Sequence, residues 1–339
     1  MYNNVKDILE NAQRIVVIQA ENPDGDSLGS SVALEALLEE QGKQVSLYCS
    51  IDIPKYLHYV AGWDRVTSDF DTKADAAIIV DTVSDTLLSK TLEIPAARHF
   101  LETHPVLVLD HHASVQSSLP FEHELVVGET AVATGELIVD IVEKLDWKIS
   151  TDAANALYHS IMADSLGLTT PNTSPASYRT VATLLEAGAK PADLEARRRE
   201  FMKKSAEILA YKGRLLERIE YYLDGALALV HIPWEEIAEY SDQYNPSVLV
   251  LDEMRLVEGV KMAVAIKTYP DGKLTGKLRA NPEAKIADVV AGFFGGGGHG
   301  YAAGFRIYED YDAVKKELLD ATDKAIKEYD ATITTTEPC

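Results

Sequence analysis

Three short apolar runs in the first third of the chain each lead into aspartate, and they constrain the fold more than any other feature. Arg14-Ile15-Val16-Val17-Ile18-Gln19 runs into Asn22-Pro23-Asp24-Gly25-Asp26-Ser27. Ala76-Ala77-Ile78-Ile79-Val80 ends in Asp81, and Val106-Leu107-Val108-Leu109 ends in Asp110-His111-His112. Each run reads as a buried strand, and Val45 to Ser50 reads as a fourth. Helices are expected between them, at Leu28 to Gln41 and around Leu87 to Leu92. Strands alternating with helices indicate an α/β fold, a parallel sheet with helices on both faces. The acidic residues then fall on loops leaving the C-terminal ends of strands, where open α/β sheets bind ligands.

The chemistry of these loops has a plain reading and a sharper one. Asp24 and Asp26 flank a glycine, and such a pair suits a hard divalent cation. Asp26 and Ser27 are also good helix caps, so an Asx-rich turn explains this segment equally well. A strand-end Asp is often only a turn residue, and a buried His more often a satisfied core residue than a ligand. A fourth segment, Ser160-Ile161-Met162-Ala163-Asp164, closes an apolar helical stretch on another Asp. Carboxylates and imidazoles at one sheet edge suit Mn, Fe, Co or Zn, and bridging carboxylates suit a two-metal phosphoryl site.

Composition bounds the remaining possibilities. A chain of 339 residues, 46% hydrophobic and 25% charged, holds two ordinary globular domains. No apolar run approaches the roughly 18–20 residues of a membrane span. Met1 to Gln13 is polar, unlike a signal peptide, so the cytoplasm is the expected compartment. Two cysteines, Cys49 and Cys339, imply neither a disulfide framework nor a zinc site. A net charge of −22 argues against a surface for duplex DNA, which needs clustered Lys and Arg, but not against a short nucleotide in a pocket.

Further along, helices are expected near Ala131 to Leu145, Asp152 to Ala163 and Ser174 to Ala187. Residues 1–190 form the first domain. Residues 191–224 read as a charged helical linker, with Arg197-Arg198-Arg199 and Lys203-Lys204 solvated and paired with Glu195, Glu200 and Glu207. Residues 225–330 form a smaller α/β domain with strands Ala226 to Ile232, Val260 to Thr268, Leu274 to Ala280 and Ala303 to Ile307. Its helices are Ile286 to Phe293 and Tyr311 to Tyr329, and residues 331–339 read as a frayed tail. Between its first helix and last strand lies Gly295-Gly296-Gly297-Gly298-His299, where bare backbone N–H groups can approach an anion.

Asn22-Pro23-Asp24-Gly25-Asp26, Asp81, Asp110-His111-His112, Asp164 and Gly295 to His299 with Ala302-Ala303-Gly304 together resemble the DHH phosphoesterase superfamily. The likeness is to its branch with a DHHA1 domain, of the oligoribonuclease and pAp phosphatase type, and it spans nearly the whole chain. It implies metal-dependent hydrolysis of short oligoribonucleotides (nanoRNA), 3′-phosphoadenosine 5′-phosphate, or both, as a phosphodiesterase or phosphomonoesterase of 3′-5′ or 5′-3′ type. It implies Mn²⁺, with Mg²⁺ or Co²⁺ as alternatives, in two sites built from Asp24, Asp26, Asp81, His111 and Asp164, with Asp81 bridging. His112 would contact the scissile phosphate, and Asp110 would orient the imidazoles. Arg279, Gly296, Gly297, Gly298 and His299 would grip the substrate. The implied partner is short RNA or a nucleotide, with no duplex DNA and no membrane; homodimers are common in the family.

The chain departs from the family pattern at Ala20, where a metal-binding His normally stands four residues before the first Asp. One site then lacks a nitrogen ligand, for which Glu21 or Gln19 are the candidate replacements. Ala113 replaces a frequent Pro after Asp-His-His. Two alternative functions follow from the same residues. One is a phosphodiesterase of cyclic-di-AMP or linear dinucleotides; the other is a nucleotide-binding protein that has lost turnover.

Overall fold

The computed structural model describes residues 2–112 and 116–336, and its contacts divide the chain into two compact units, Met1–Lys203 and Lys204–Cys339. Ala113 and the last three residues of the expected tail lie outside the described residues. Among the described residues, no helix is long and apolar enough to cross a membrane.

The first unit carries strands β1 (Arg14–Ile18), β2 (Gln44–Tyr48), β3 (Val66–Thr67), β4 (Ala76–Val80), β5 (Val106–Asp110) and β6 (Glu124–Val127). Its α-helices are α1 (Tyr2–Asn11), α2 (Gly25–Glu40), α3 (Ser89–Glu93), α4 (Pro95–Thr103), α5 (Thr134–Lys144), α6 (Thr151–Asp164), α7 (Pro175–Glu186) and α8 (Pro191–Phe201). The strands form one parallel sheet in the order β3-β2-β1-β4-β5-β6.

Alternate residues of the central strands feed two cores. Ile15, Val17, Ile78, Leu107 and Leu109 meet α2, α5 and α6 on one face. Val16, Ile18, Ala77, Ile79 and Val108 meet Leu88, Phe100 and Leu101 on the other. Burial on both faces is why these strands read as unbroken apolar runs. The strand order reverses between β1 and β4, and a sheet of this kind opens a crevice there. Asp24 and Asp26, at the start of α2, and Asp81 follow those two strands.

The segment expected as a continuous helix from Pro191 to Leu223 is two helices. α8 ends at Phe201, and a new helix starts after Ser205, whose hydroxyl accepts from Ile208 N. The unit boundary falls in that gap. Arg198 and Arg199 pair with Glu195, and Lys203 with Glu200.

The second unit carries β7 (Glu220–Tyr222), β8 (Leu227–Ile232), β9 (Met262–Thr268), β10 (Leu274–Ala280), β11 (Gly297–His299) and β12 (Ala302–Ile307). Its helices are α9 (Ala206–Glu217), α10 (Trp234–Tyr240), α11 (Leu251–Arg255), α12 (Ala287–Phe293) and α13 (Tyr311–Thr336). The sheet order is β11-β12-β10-β9-β8-β7, antiparallel except for β8 beside β9. One face packs on α12 and α13 through Val264, Leu278, Val290 and Leu318. The other is covered over β8 and β9 by α9, α10 and α11 through Tyr211, Ile237 and Met254.

Two local expectations change. The glycine run is not all loop: Gly297–His299 pairs with β12 as an edge strand, because the polyglycine backbone can lie against Ala302 to Gly304. The tail is not frayed from Ala331, since α13 continues to Thr336.

Candidate metal centre

Asp24 caps α2. Its Oδ1 accepts from Ser27 N at 3.0 Å, and Ser27 Oγ accepts from Asp24 N at 2.9 Å. That reciprocal cap fixes the first turn and sends Asp26, the second helical residue, inward. Asp26 is 1% exposed, yet amply solvated by protein donors. Thr134 N reaches its Oδ2 at 2.7 Å; Gly135 N, Ser30 Oγ and Ser160 Oγ reach its Oδ1 at 3.3, 3.0 and 2.5 Å. Asp26 thus sits at the N-termini of both α2 and α5, where unpaired N–H groups and the helix dipole favour a carboxylate. Gly135 makes that approach possible, since a Cβ there would lie 2.0 Å from Ser160 Oγ.

Asp81 follows β4 at φ 61°, a left-handed conformation unusual outside glycine, held by Asp81 N donating to Leu109 O. Its Oδ1 accepts from Thr134 Oγ1 at 3.2 Å. Burial raises its pKa well above the ordinary carboxylate range, and Asp26, Asp24, Asp110 and Asp164 push it further. Asp164, at the end of α6, is raised by burial and by Asp26, and Asp24 chiefly by burial. Carboxylates crowded this way cost free energy unless a cation compensates them.

His111 is 7% exposed, and its Nδ1 lies 3.4 Å from Ala131 O, so Nδ1 carries the proton. Nε2 is buried and, among the described residues, without a hydrogen-bond partner. It faces three carboxylates: Asp164 Oδ2 at 3.4 Å, and Asp26 Oδ2 and Asp81 Oδ1 at 3.6 Å. Two ligand atoms each ~2.1 Å from one ion stand roughly 3.0–3.5 Å apart, so the set fits a divalent metal. Ligand-grade atoms gather in two groups: Asp26, His111 and Asp164; and Asp81, His111 and His112.

His112 is more exposed. Its Nδ1 donates to Asp110 Oδ1 at 2.7 Å, and its backbone N donates to the same oxygen at 2.9 Å. The hydrogen bond to Asp110 raises the His112 pKa. Burial pushes Asp110 upward, but the bonds from His112 outweigh it, and the carboxyl titrates below its ordinary range. The pair favours the protonated imidazole, with Nε2 turned away from Asp110.

The structure therefore brings Asp26, Asp81, Asp110, His111, His112 and Asp164 together from four separate segments. Asp24 stands beside them, outside both ligand groups, with one oxygen used as the cap. Thr134, Gly135, Ser30 and Ser160 were not singled out from sequence. Ser30 and Ser160 each lie one helical turn from a site aspartate, on the same face, and that spacing is the signal that could have found them. Near Ala20, Glu21 is committed elsewhere: its carboxylate accepts from Ser89 Oγ and from Lys90 N at the start of α3. Gln19 is fully buried, and neither amide atom has a partner.

In the second unit, strand register joins the residues expected to hold substrate. Arg279 pairs with Ala302, and Ala302 with His299, so the two side chains flank Ala302 on one sheet face. Gly298 has φ 144°, and a Cβ there would meet Ala302 O at 2.5 Å; only glycine lets this edge close on β12.

Residues 14–162 match the DHH family, N-terminal domain, and residues 238–328 match the DHHA1 domain. The chain is 26% identical over 303 residues to the "Bifunctional oligoribonuclease and PAP phosphatase NrnA" of Thermus thermophilus, covering 88% of this chain and 86% of that protein. It is 23% identical over 310 residues to the "Probable bifunctional oligoribonuclease and PAP phosphatase NrnA" of Streptococcus mutans, covering 90% and 94%. Its fold matches the crystal structure of an exopolyphosphatase-related protein from Bacteroides fragilis, with TM-score 0.81 and 20% identity over 98% of this chain and 97% of that one. With both domains matched in order, and with relatives that align along nearly their whole length, the chain belongs to the DHH/DHHA1 phosphoesterase family.

Proposed function

We propose that this protein is a divalent-metal-dependent phosphoesterase acting on short oligoribonucleotides and on 3′-phosphoadenosine 5′-phosphate. The observation that carries the reading is His111 Nε2, buried and facing three carboxylates at 3.4–3.6 Å. The names of the relatives supply the substrate class.

Asp26, Asp81, His111 and Asp164, with Asp24 beside them, hold the metal. A donor set of one imidazole with carboxylates suits Mn²⁺, with Mg²⁺ or Co²⁺ as substitutes. When bound, such an ion polarises a phosphoryl oxygen and lowers the pKa of water. The protein's own groups do the rest. Ala131 O holds the His111 tautomer. Thr134 and Ser160 hold Asp26 and Asp81 in place before any ligand arrives. His112, whose protonated form Asp110 favours, offers an N–H to a phosphate oxygen. Arg279 and His299, which flank Ala302 on the second unit's sheet, offer a guanidinium and an imidazole to the nucleotide.

The test is turnover of 3′-phosphoadenosine 5′-phosphate, dinucleotides, cyclic-di-AMP and RNAs of graded length, with Mn²⁺, with Mg²⁺ and in EDTA. Release of phosphate or mononucleotide with metal only is the expected result. Action on cyclic-di-AMP alone moves the assignment to a cyclic dinucleotide phosphodiesterase. Tight binding without turnover under any metal overturns the enzymatic reading.

A further inference from the structure

Among the described residues, three leucines take a left-handed backbone: Leu166 at φ 50°, Leu168 at φ 64° and Leu223 at φ 54°. A Cβ makes that conformation unfavourable, and glycine or asparagine adopts it more readily. Burial offsets the strain at two of them. Leu168 is 7% exposed and belongs to the first unit's core, and Leu223 packs against the core of the second. Leu166 is 73% exposed, so burial does not offset its backbone.

The turn that strains Leu166 is nevertheless held firmly. Buried Ser165 Oγ donates to Ile161 O at 2.5 Å and accepts from Leu168 N at 2.9 Å. Gly167 N donates to Met162 O, Thr169 N to Ser165 O, and Thr169 Oγ1 to Leu166 O at 2.8 Å. A strained residue that its surroundings fix in place, with nothing in the fold to gain from it, points to a contact made with something else.

Its position says with what. Leu166 follows Asp164 by two residues, and the Asp164 carboxylate is 38% exposed while facing His111 Nε2 at 3.4 Å. A second exposed apolar side chain stands by the neighbouring carboxylate. Tyr56, on the helical turn Lys55–Leu57, is 61% exposed, and its hydroxyl donates to the carbonyl of Pro23, the residue before Asp24, at 3.3 Å. The first turn of α2 lies directly on the end of α6, where a Cβ on Gly25 would come 2.4 Å from Ala163 Cβ. Tyr56 and Leu166 thus flank the junction of α2 and α6 that carries Asp24, Asp26 and Asp164. Tyr56 is tethered at its hydroxyl end, which leaves ring surface free. A nucleobase has a flat face suited to an aromatic ring and an aliphatic side chain.

We infer that Leu166 and Tyr56 hold the base of the nucleotide whose phosphate lies at the candidate metal centre, so that this rim of the first unit contributes to recognising a nucleotide over a bare phosphate ester. The inference rests on the proposed nucleotide phosphoesterase reading. It accounts for the one left-handed leucine that the packing does not.

The experiment uses the full-length protein and two pairs of substrates: 3′-phosphoadenosine 5′-phosphate and ApA, each beside a counterpart in which hydrogen replaces every base. Parent, Leu166→Gly, Leu166→Met and Tyr56→Ala proteins are compared by turnover with Mn²⁺ and by thermal unfolding in EDTA. Leu166→Gly should melt about 1–3 °C higher than the parent, because glycine relieves the backbone. In Leu166→Gly and in Tyr56→Ala, KM for the base-bearing substrates should rise about 10-fold, with a smaller change in kcat. KM for the base-free counterparts should stay within about twofold of the parent's, and Leu166→Met should keep the parent's KM throughout. An unchanged KM for base-bearing substrates in either Leu166→Gly or Tyr56→Ala overturns the inference and leaves the phosphoesterase reading standing. So does an equal rise for base-bearing and base-free substrates, which would place the loop at the phosphate or the metal instead. If the parent turns over none of the substrates, both readings fall.

Discussion

The backbone N–H of Thr134 donates to Asp26 Oδ2 at 2.7 Å, across 108 residues of chain. The same threonine's hydroxyl donates to Asp81 Oδ1. One residue at the start of α5 therefore positions carboxylates from two different strand ends. Such donors organise the candidate metal centre.

Replacing Asp81 by Asn should separate metal binding from folding. Asn tolerates the left-handed backbone at φ 61° and keeps the side chain's size, whereas Ala would add strain. The charge it removes is one the buried cluster resists. Mn²⁺ affinity by calorimetry should fall at least about 100-fold and turnover should vanish. The melting temperature in EDTA should equal or exceed the parent's. Near-normal turnover in the folded variant would refute the role of Asp81 as a shared ligand.

Ser160→Ala should weaken the site without touching a ligand. Its hydroxyl lies 2.5 Å from Asp26 Oδ1 and 3.4 Å from Ser30 Oγ. Losing a donor that orients a ligand typically costs ~10–100-fold in metal affinity. A Mn²⁺ titration at fixed pH measures it; an affinity within twofold of the parent would show that Ser30, Thr134 and Gly135 suffice.

His159 predicts a pH dependence of stability. Burial lowers its pKa to about 4 in the folded protein, against an ordinary value of 6.5. Above 6.5 both states hold it neutral, and it contributes nothing. As pH falls below 6.5 the unfolded chain binds a proton that the native protein refuses, so stability declines until about pH 4. Between pH 7 and pH 5 the loss is about 2 kcal/mol. The neighbouring carboxylates titrate with the opposite sign, so the measurement is a difference: denaturant unfolding of the parent and His159→Gln at both pH values, in EDTA. An identical pH slope in the two proteins would dismiss the assignment.

Glu21→Ala should cost stability but not metal. Its carboxylate accepts from the Ser89 hydroxyl and from the backbone N–H of Lys90 in α3, a cap worth about 1 kcal/mol. Mn²⁺ affinity should stay within twofold. A tenfold loss would show that Glu21 leaves the helix to fill the place of the nitrogen missing at Ala20.

Arg279→Ala and His299→Ala should raise KM more than they lower kcat, because both act on substrate away from the reacting phosphate. They flank Ala302 on one face, so the double variant should lose less than the product of the single losses. Equal falls in kcat and kcat/KM would place them at the reacting centre instead.

The parallel sheet and the aspartates at its edge are legible in the amino-acid order alone. Strands buried on both faces must be continuously apolar, and the polar residues where they stop must be functional or turn-forming. Val106–Asp110 and Leu274–Ala280 match their expected bounds. Short elements were not legible. β3 has two residues, and β11 is three residues of glycine and histidine whose pairing comes from β12 rather than from any preference of their own. α1 and α4 bury only single faces through Val5, Leu9, Phe100 and Leu101, a weak pattern in short polar segments. Tertiary structure alone decided which atoms face which. That Asp24 caps a helix while Asp26, two residues on, meets Thr134 and Ser160 depends on the packing of α2 against α5 and α6. That Glu21 turns to α3, and that Arg279 and His299 share a face, depends on backbone geometry and strand register. Hydrogen bonds and like-charge crowding act over a few ångströms, and only the folded chain brings residues more than a hundred positions apart within that range.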